Sequence, residues 1–350
     1  MTLPSRMKAL VLTEGGYSAE LASYTPESLA PFLAYEEVDV PRPAKGQVLI
    51  RMRCSSVNPS DVIFFQGNYG QPRIKGQPAG FEAVGDVVAT GGGLMASMLS
   101  GKRVAFVAHN SGSWAEYVIA DAATCIALRK DVRDEDGAAM IVNPLTAHAM
   151  FDLVKRSGSK AFVMTAASSQ LCKLMASLAR DEGYTAISVV RRDSQIEHLK
   201  ELGAAHVLNC EKKDFADTFA AVCKSEKPVM LLDAVTGPVS STMFSLMGPR
   251  ARWVIYGRLT DEPTTLQDPG QFIFMTKQVE GFWLVNWMQN TPLLAKLRVV
   301  RTVQKRFATG AWQTEVAARV PLKDVHKQLP GLLKGENKGK ILLVPDDYRP

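Results

Sequence analysis

Apolar positions along the chain follow two different rhythms. Up to about residue 124 they come in short runs, at 8–12, 48–57, 83–89, 103–108 and 114–120, separated by glycine, proline and polar turns. Runs of that length with that punctuation predict the strands of a compact β-barrel-like unit. From residue 161 to about 256 short apolar runs alternate with stretches of helical period. Residues 161–167 predict a strand, and Leu171, Leu174, Met175 and Leu178 then fall on one helical face at i, i+3, i+4, i+7 spacing. A second strand at 185–190 is followed by Ser194 and, three residues on, Glu197, a capping-box pattern for a helix carrying Ile196, Leu199 and Leu202 that Gly203 ends. Strand 205–208 precedes Phe215, Phe219 and Val222, strand 229–232 precedes Met243, Leu246 and Met247, and 252–256 supplies a fifth strand. Alternation of this kind predicts a doubly wound parallel sheet with helices on both faces.

Beyond it, the pattern predicts a strand at 279–285, a long helix at 292–307 and a last strand at 341–344, a tail that returns to the first domain. The expected organisation is α/β, with a β-barrel domain over 1–124, a dinucleotide-binding domain over 125–285 and a returning segment over 286–350.

Composition narrows the class without naming a chemistry. The chain has 350 residues, 46% of them hydrophobic and 22% charged, which is ordinary for a globular protein of two domains. No run approaches the ~18 apolar residues of a membrane span, and no hydrophobic leader precedes the first strand, so neither a membrane nor a secreted protein is expected. Five cysteines stand singly, without a CxxC pair, which fits reduced thiols in a cytoplasm. The net charge of +6 is spread out, with pairs such as Lys212-Lys213 and Arg191-Arg192 but no basic stripe, so a nucleic-acid partner is not expected. The histidines are isolated, and no Gly-x-Ser-x-Gly elbow or HExxH spacing occurs.

Several motifs together carry a resemblance. Ser56-Val57-Asn58-Pro59-Ser60-Asp61, followed by Gly80-Phe81-Glu82, resembles the paired hallmark of the medium-chain dehydrogenase/reductase superfamily, and the resemblance covers nearly the whole chain. Within that superfamily Gly67-Asn68-Tyr69-Gly70, Val142-Asn143-Pro144, Val190-Arg191-Arg192 and Gly281-Phe282-Trp283-Leu284 are most similar to 2-enoyl thioester reductases, with quinone oxidoreductases as near neighbours. The resemblance implies a GroES-like β-barrel catalytic domain and a Rossmann-like domain that binds NADPH. Zinc-dependent relatives carry a cysteine where Asn58 stands and a histidine where Phe81 stands; an amide and a phenyl ring cannot replace thiolate and imidazole, so no metal is expected. Residues 85–102 hold no cysteine for a structural zinc either.

For the cofactor, Arg191 and Arg192 end the second strand of the parallel sheet, where an NAD enzyme places a carboxylate on the ribose 2′-hydroxyl. Guanidinium groups there suit the 2′-phosphate of NADPH; a solvated pair is the plainer alternative. The expected phosphate loop, Ala166-Ala167-Ser168-Ser169-Gln170-Leu171-Cys172, has Gln170 and Cys172 where relatives have glycines. Ser168 and Ser169 either donate to pyrophosphate or are ordinary N-caps. Tyr256 and Gly257 end the fifth strand, and the resemblance implies that they line the nicotinamide with Phe282, Trp283 and Leu284, which would otherwise be core. It also implies cofactor contacts for Asn58 and Asn143. Lys340 either reaches a cofactor or substrate phosphate or is simply solvated.

The implied reaction is hydride transfer from NADPH to the β-carbon of a 2-enoyl thioester, free or carrier-bound, with protonation at the α-carbon and Tyr69 as donor or acid. A quinone or enone reductase would use the same cofactor site, and a non-enzymatic NADPH-binding protein is the reading from another class. A homodimer through the edge of the parallel sheet is implied by the resemblance alone.

Overall fold

The computed structural model describes residues 3–108, 112–335 and 339–348. Two compact units emerge: Met1–Val142 with Val300–Pro350, and Asn143–Val299.

The first unit opens with seven strands: β1 (Arg6–Leu12), β2 (Leu33–Asp39), β3 (Gln47–Ser56), β4 (Glu82–Thr90), β5 (Arg103–Val107), β6 (Tyr117–Asp121) and β7 (Ile126–Ala127). Sequence periodicity does not reveal β2. It pairs antiparallel with β1 through partners such as Lys8 and Glu37, whose charged groups meet at 2.8 Å, so its side chains carry no apolar alternation. A helix at Pro59–Phe65, also unforeseen, follows β3. The Asp61 carboxylate accepts the Asn58 backbone N–H at 2.7 Å, and Pro59 at the first position starts the helix without wasting a donor. Phe64 and Phe65 then enter the core with Leu10, Leu12, Phe106 and Trp114, all essentially without solvent contact. Gly80 packs so closely beneath Trp114 that a Cβ there would lie 2.2 Å from the indole, and its φ is +90°.

The second unit holds six strands, β8 (Ala161–Met164), β9 (Thr185–Val190), β10 (His206–Asn209), β11 (Met230–Asp233), β12 (Arg252–Ile255) and β13 (Gln278–Gly281). All pair in parallel, in the order β10-β9-β8-β11-β12-β13. That is the predicted doubly wound sheet. The Gln170–Glu182 helix buries the predicted face Leu171, Leu174, Met175 and Leu178 and ends at Gly183 in the left-handed conformation.

Two local expectations fail in this unit. Ser194 does not cap a helix: Asp193–Gln195 form a 3-10 turn, the helix runs only from Ile196 to Glu201, and its N-cap, Gln195, makes no side-chain capping bond. Glu197 instead pairs with Lys200 at 2.9 Å. The strand expected at 279–285 stops at Gly281, and Leu284–Asn290 is a helix. Phe282, Trp283 and Leu284 are apolar because they are half-buried, not because they are strand. A short apolar run cannot separate the two.

The tail returns after the Leu293–Ala308 helix. β14 (Val316–Pro321) and β15 (Lys340–Val344) complete the sheet of the first unit, β14-β15-β3-β4-β5-β7 with β6 on β3. This unit continues past residue 124 because β7 pairs with β5, and because Glu82 accepts the N–H groups of Ile141 and Val142 at 3.1 and 2.8 Å.

Candidate functional site

In the second unit the strand order reverses between β8 and β11, and parallel sheets bind ligands in the crevice that opens at the carboxyl ends of such a pair. The predicted residues of this unit that follow strand ends are Ser168 and Ser169 after β8, Arg191 and Arg192 after β9, and Tyr256 and Gly257 after β12. Arg191 and Arg192 leave the end of β9 exposed. After β8 the chain turns through Ala166, whose φ of +48° is unusual for a residue with a side chain, into the Gln170–Glu182 helix. Ser169 is the N-cap, its hydroxyl accepting the Cys172 N–H at 3.4 Å. Ser168 is not a cap; its hydroxyl accepts from the Gln195 amide at 3.0 Å.

Cys172, at an expected glycine position, is buried, with its sulfur 3.4 Å from both the Thr165 carbonyl oxygen and the Tyr256 hydroxyl. Burial pushes the thiol and the Tyr256 phenol upward, favouring their neutral forms. At Gly257 a Cβ would sit 3.1 Å from the Ala234 carbonyl oxygen, so the chain passes close to the end of β11 and a side chain there would push it back. Phe282 donates its N–H to Ile255 at 2.8 Å, Trp283 is the N-cap of the next helix and Leu284 its first residue. Asn143 lies half-buried in the first turn of the Val142–Arg156 helix.

The first unit brings together residues far apart in the chain. Asn58 is buried, and its amide donates to Glu82 at 2.9 Å and to the Ser56 hydroxyl at 3.2 Å, while its Oδ1 accepts from the Lys340 ammonium. Lys340 is therefore buried and not simply solvated. The return of β15 beside β3 carries it inside, where burial lowers its pKa and the Glu82 and Asp61 charges oppose that shift. Asp61 accepts N–H groups from Asn58 and Phe81 at 2.7 and 2.9 Å. Burial pushes its carboxyl up to about 7.

Tyr69 rides on the loop after the Pro59–Phe65 helix, half-buried, with its ring centroid 5.2 Å from Phe81 and 6.5 Å from Phe64. Three side chains fasten that loop. Asn68 accepts from Ala22 N–H at 3.0 Å and donates to the Glu20 carbonyl at 2.7 Å, Gln66 bonds to both backbone groups of Ser23, and buried Arg73 donates to Phe65 and Gly16. Sequence reading missed Glu82, Asp61 and Arg73 as partners; for Glu82 and Asp61 a carboxylate beside an apolar run was the signal, and Arg73, in a polar loop, gave none. It also missed Asp233, a fully buried carboxylate ending β11.

Known proteins share both halves. Residues 44–130 match the alcohol dehydrogenase GroES-like domain and residues 172–298 match the zinc-binding dehydrogenase family. A curated relative, the mitochondrial enoyl-[acyl-carrier-protein] reductase of Mus musculus, is 27% identical over 97% of this chain and 89% of its own. A solved protein of Mesorhizobium loti, provisionally described as an NADPH:quinone reductase, is 52% identical, covers 99% of this chain and 100% of its own, and superposes with a TM-score of 0.94. The fold extends to a mitochondrial 2-enoyl thioester reductase of Candida tropicalis, 20% identical over 97% of this chain and 99% of that one, with a TM-score of 0.79.

Proposed function

The chain belongs to the medium-chain dehydrogenase/reductase superfamily, and from that premise we propose that it uses NADPH to reduce the activated double bond of a 2-enoyl thioester. One observation carries the reading: two exposed guanidinium groups, Arg191 and Arg192, leave the carboxyl end of β9, next to β8 and its loop into a helix N-terminus. Forked, charge-assisted hydrogen bonds to a 2′-phosphate are what such a pair supplies.

The residues present fit a dinucleotide. Ser168, Ser169 and the N-terminal end of the following helix suit a pyrophosphate. Tyr256, Phe282, Trp283, Leu284 and Asn143 would hold the nicotinamide end. NADPH, when bound, supplies the hydride for the β-carbon. Tyr69 donates a hydrogen bond to the thioester oxygen as charge gathers there, or passes its proton to the α-carbon. Lys340 acts through Asn58, holding the carboxamide oxygen on one side while Glu82 holds the nitrogen on the other. With Asn58 so committed, and Phe81 offering no donor atom, a metal-free site is the consistent reading.

The choice of an acyl thioester, free or carrier-bound, is supported by the likeness to the mouse enoyl reductase along nearly the whole chain. A quinone or enone as acceptor is the second reading, supported by the 52% likeness to the Mesorhizobium loti protein. A homodimer is supported by β13, an edge strand with exposed Val279 flanked by exposed Ile273 and Phe274. A cytoplasmic location is supported by the five free cysteines, which fit a reducing compartment.

NADPH oxidation against a short enoyl-CoA, an acyl-carrier enoyl thioester, a 1,4-quinone and a simple enone tests the proposal. A kcat/KM at least tenfold higher for a thioester is expected. The reverse order transfers the assignment to the quinone reading, and NADPH binding without turnover of any acceptor overturns both.

A further inference from the structure

Asp233 is the last residue of β11, and no part of it reaches solvent. Four donors converge on its carboxylate. Oδ1 accepts from the Thr165 hydroxyl at 2.5 Å, from Val235 N–H at 2.9 Å and from Thr236 N–H at 3.2 Å; Oδ2 accepts from Thr236 N–H at 3.1 Å and from the indole N–H of fully buried Trp253 at 2.8 Å. The Thr165 hydroxyl in turn accepts the Ala234 N–H at 2.9 Å. These residues join two strand ends to a third strand: Thr165 directly follows β8, Asp233 closes β11, and Trp253 lies within β12.

Their place in the topology gives this cluster a role. β8 and β11 are the two strands between which the order reverses, so the Thr165–Asp233 hydrogen bond spans the floor of the crevice where a doubly wound sheet receives its ligand. Immediately beyond it Thr236 is held at φ +67°, ψ −158°, a conformation that belongs almost wholly to glycine, and Gly237 follows at φ +71°. Strain of that kind persists only where surrounding contacts impose it. Both oxygens of Asp233 accept the Thr236 N–H, so the carboxylate holds this turn together with the Thr264 hydroxyl, which accepts the Gly237 N–H at 3.0 Å.

We infer that Asp233 is the positioning residue of the dinucleotide crevice, holding the Thr165 end of β8 and the strained Thr236–Gly237 turn in the arrangement that receives the cofactor, an inference resting on the proposed NADPH site. The carboxylate stays beneath the binding surface and acts through the backbone it fixes. An acceptor-only group suits a place surrounded by donors; an asparagine would turn an NH2 against at least one of them.

The experiment compares Thr165→Val, Thr165→Ser and Asp233→Asn with wild type. NADPH Kd is read by direct titration, kcat at saturating NADPH, and Tm without ligand. Thr165→Val and Asp233→Asn are expected to raise the NADPH Kd at least tenfold with a smaller change in kcat, while Thr165→Ser, which keeps the hydroxyl, stays within threefold of wild type. A purely structural carboxylate would lower Tm in the first two and leave Kd of the folded protein unchanged, and that result overturns the inference. If Asp233→Asn does not fold, the Thr165 pair decides. A wild type that binds NADH in place of NADPH overturns the cofactor reading alone, and the same comparison is then read with NADH; a wild type that binds neither overturns both.

Discussion

The Tyr69 phenol sits on a loop held by Gln66, Asn68 and Arg73, and its ring rests on Phe64 and Phe81. Removing only the hydroxyl therefore leaves the packing in place, and Tyr69→Phe is expected to lower kcat by ~10² to 10³ with NADPH affinity and Tm near wild type, the loss typical of one general acid or oxyanion donor. A lower Tm with unchanged kcat would instead make Tyr69 an anchor. Asp61 gives a pH prediction. Burial raises its folded pKa to about 7, Glu82 adds to the shift, and the Asn58 and Phe81 amides and Lys340 oppose it. The folded state thus holds this proton more tightly than the unfolded chain. The associated stability is complete below the ordinary carboxylate pKa of about 4 and is lost as pH rises through about 7. Unfolding of wild type and Asp61→Asn, followed across that window, should show the wild-type advantage falling by roughly 1.4 kcal/mol per pH unit. A difference constant with pH would refute the shift.

At the level of elements, the end of β9 carries the cofactor assignment. Losing contacts to a 2′-phosphate costs about 1.5 to 3 kcal/mol per charge-assisted hydrogen bond, and exposure of both arginines favours the lower end. Replacing Arg191 and Arg192 together with alanine should remove most of the preference for NADPH over NADH while leaving NADH binding near wild type. Binding titrations with both cofactors check this, and a double variant that keeps its preference ends the assignment. Elements with a buried face were legible beforehand: the Gln170–Glu182 helix shows its i, i+3, i+4, i+7 stripe because one side packs on the sheet. The 194–197 pattern misled because side-chain capping competes with a local 3-10 turn, and residues 282–284 because a half-buried apolar run has no period of its own.

For the whole molecule, the proposal predicts an enzyme without a catalytic metal. Elemental analysis should find no stoichiometric zinc, and chelators should leave NADPH oxidation unchanged; one tightly bound zinc per chain would contradict the reading of Asn58 and Phe81. The exposed β13 edge predicts a second, independent result. Val279→Lys should shift the sedimenting species from dimer to monomer, since a charge on an edge strand opposes pairing. A wild type that sediments as a monomer removes the dimer.

The sequence by itself determined the two architectures, because alternating short runs and helical stripes record which faces must leave water. It also determined the residue types at the cofactor edge, since Arg191-Arg192 follows a recognisable strand. Only the tertiary structure decided what the polar residues do. Lys340 meets Asn58 because β15 returns beside β3, and Asp233 meets Thr165 because β8 and β11 are neighbours across the reversal of strand order. Those pairs are separated by 282 and 68 residues, respectively. No local period encodes such a contact, for a buried polar side chain takes its role from whatever long-range strand pairing places within hydrogen-bond reach.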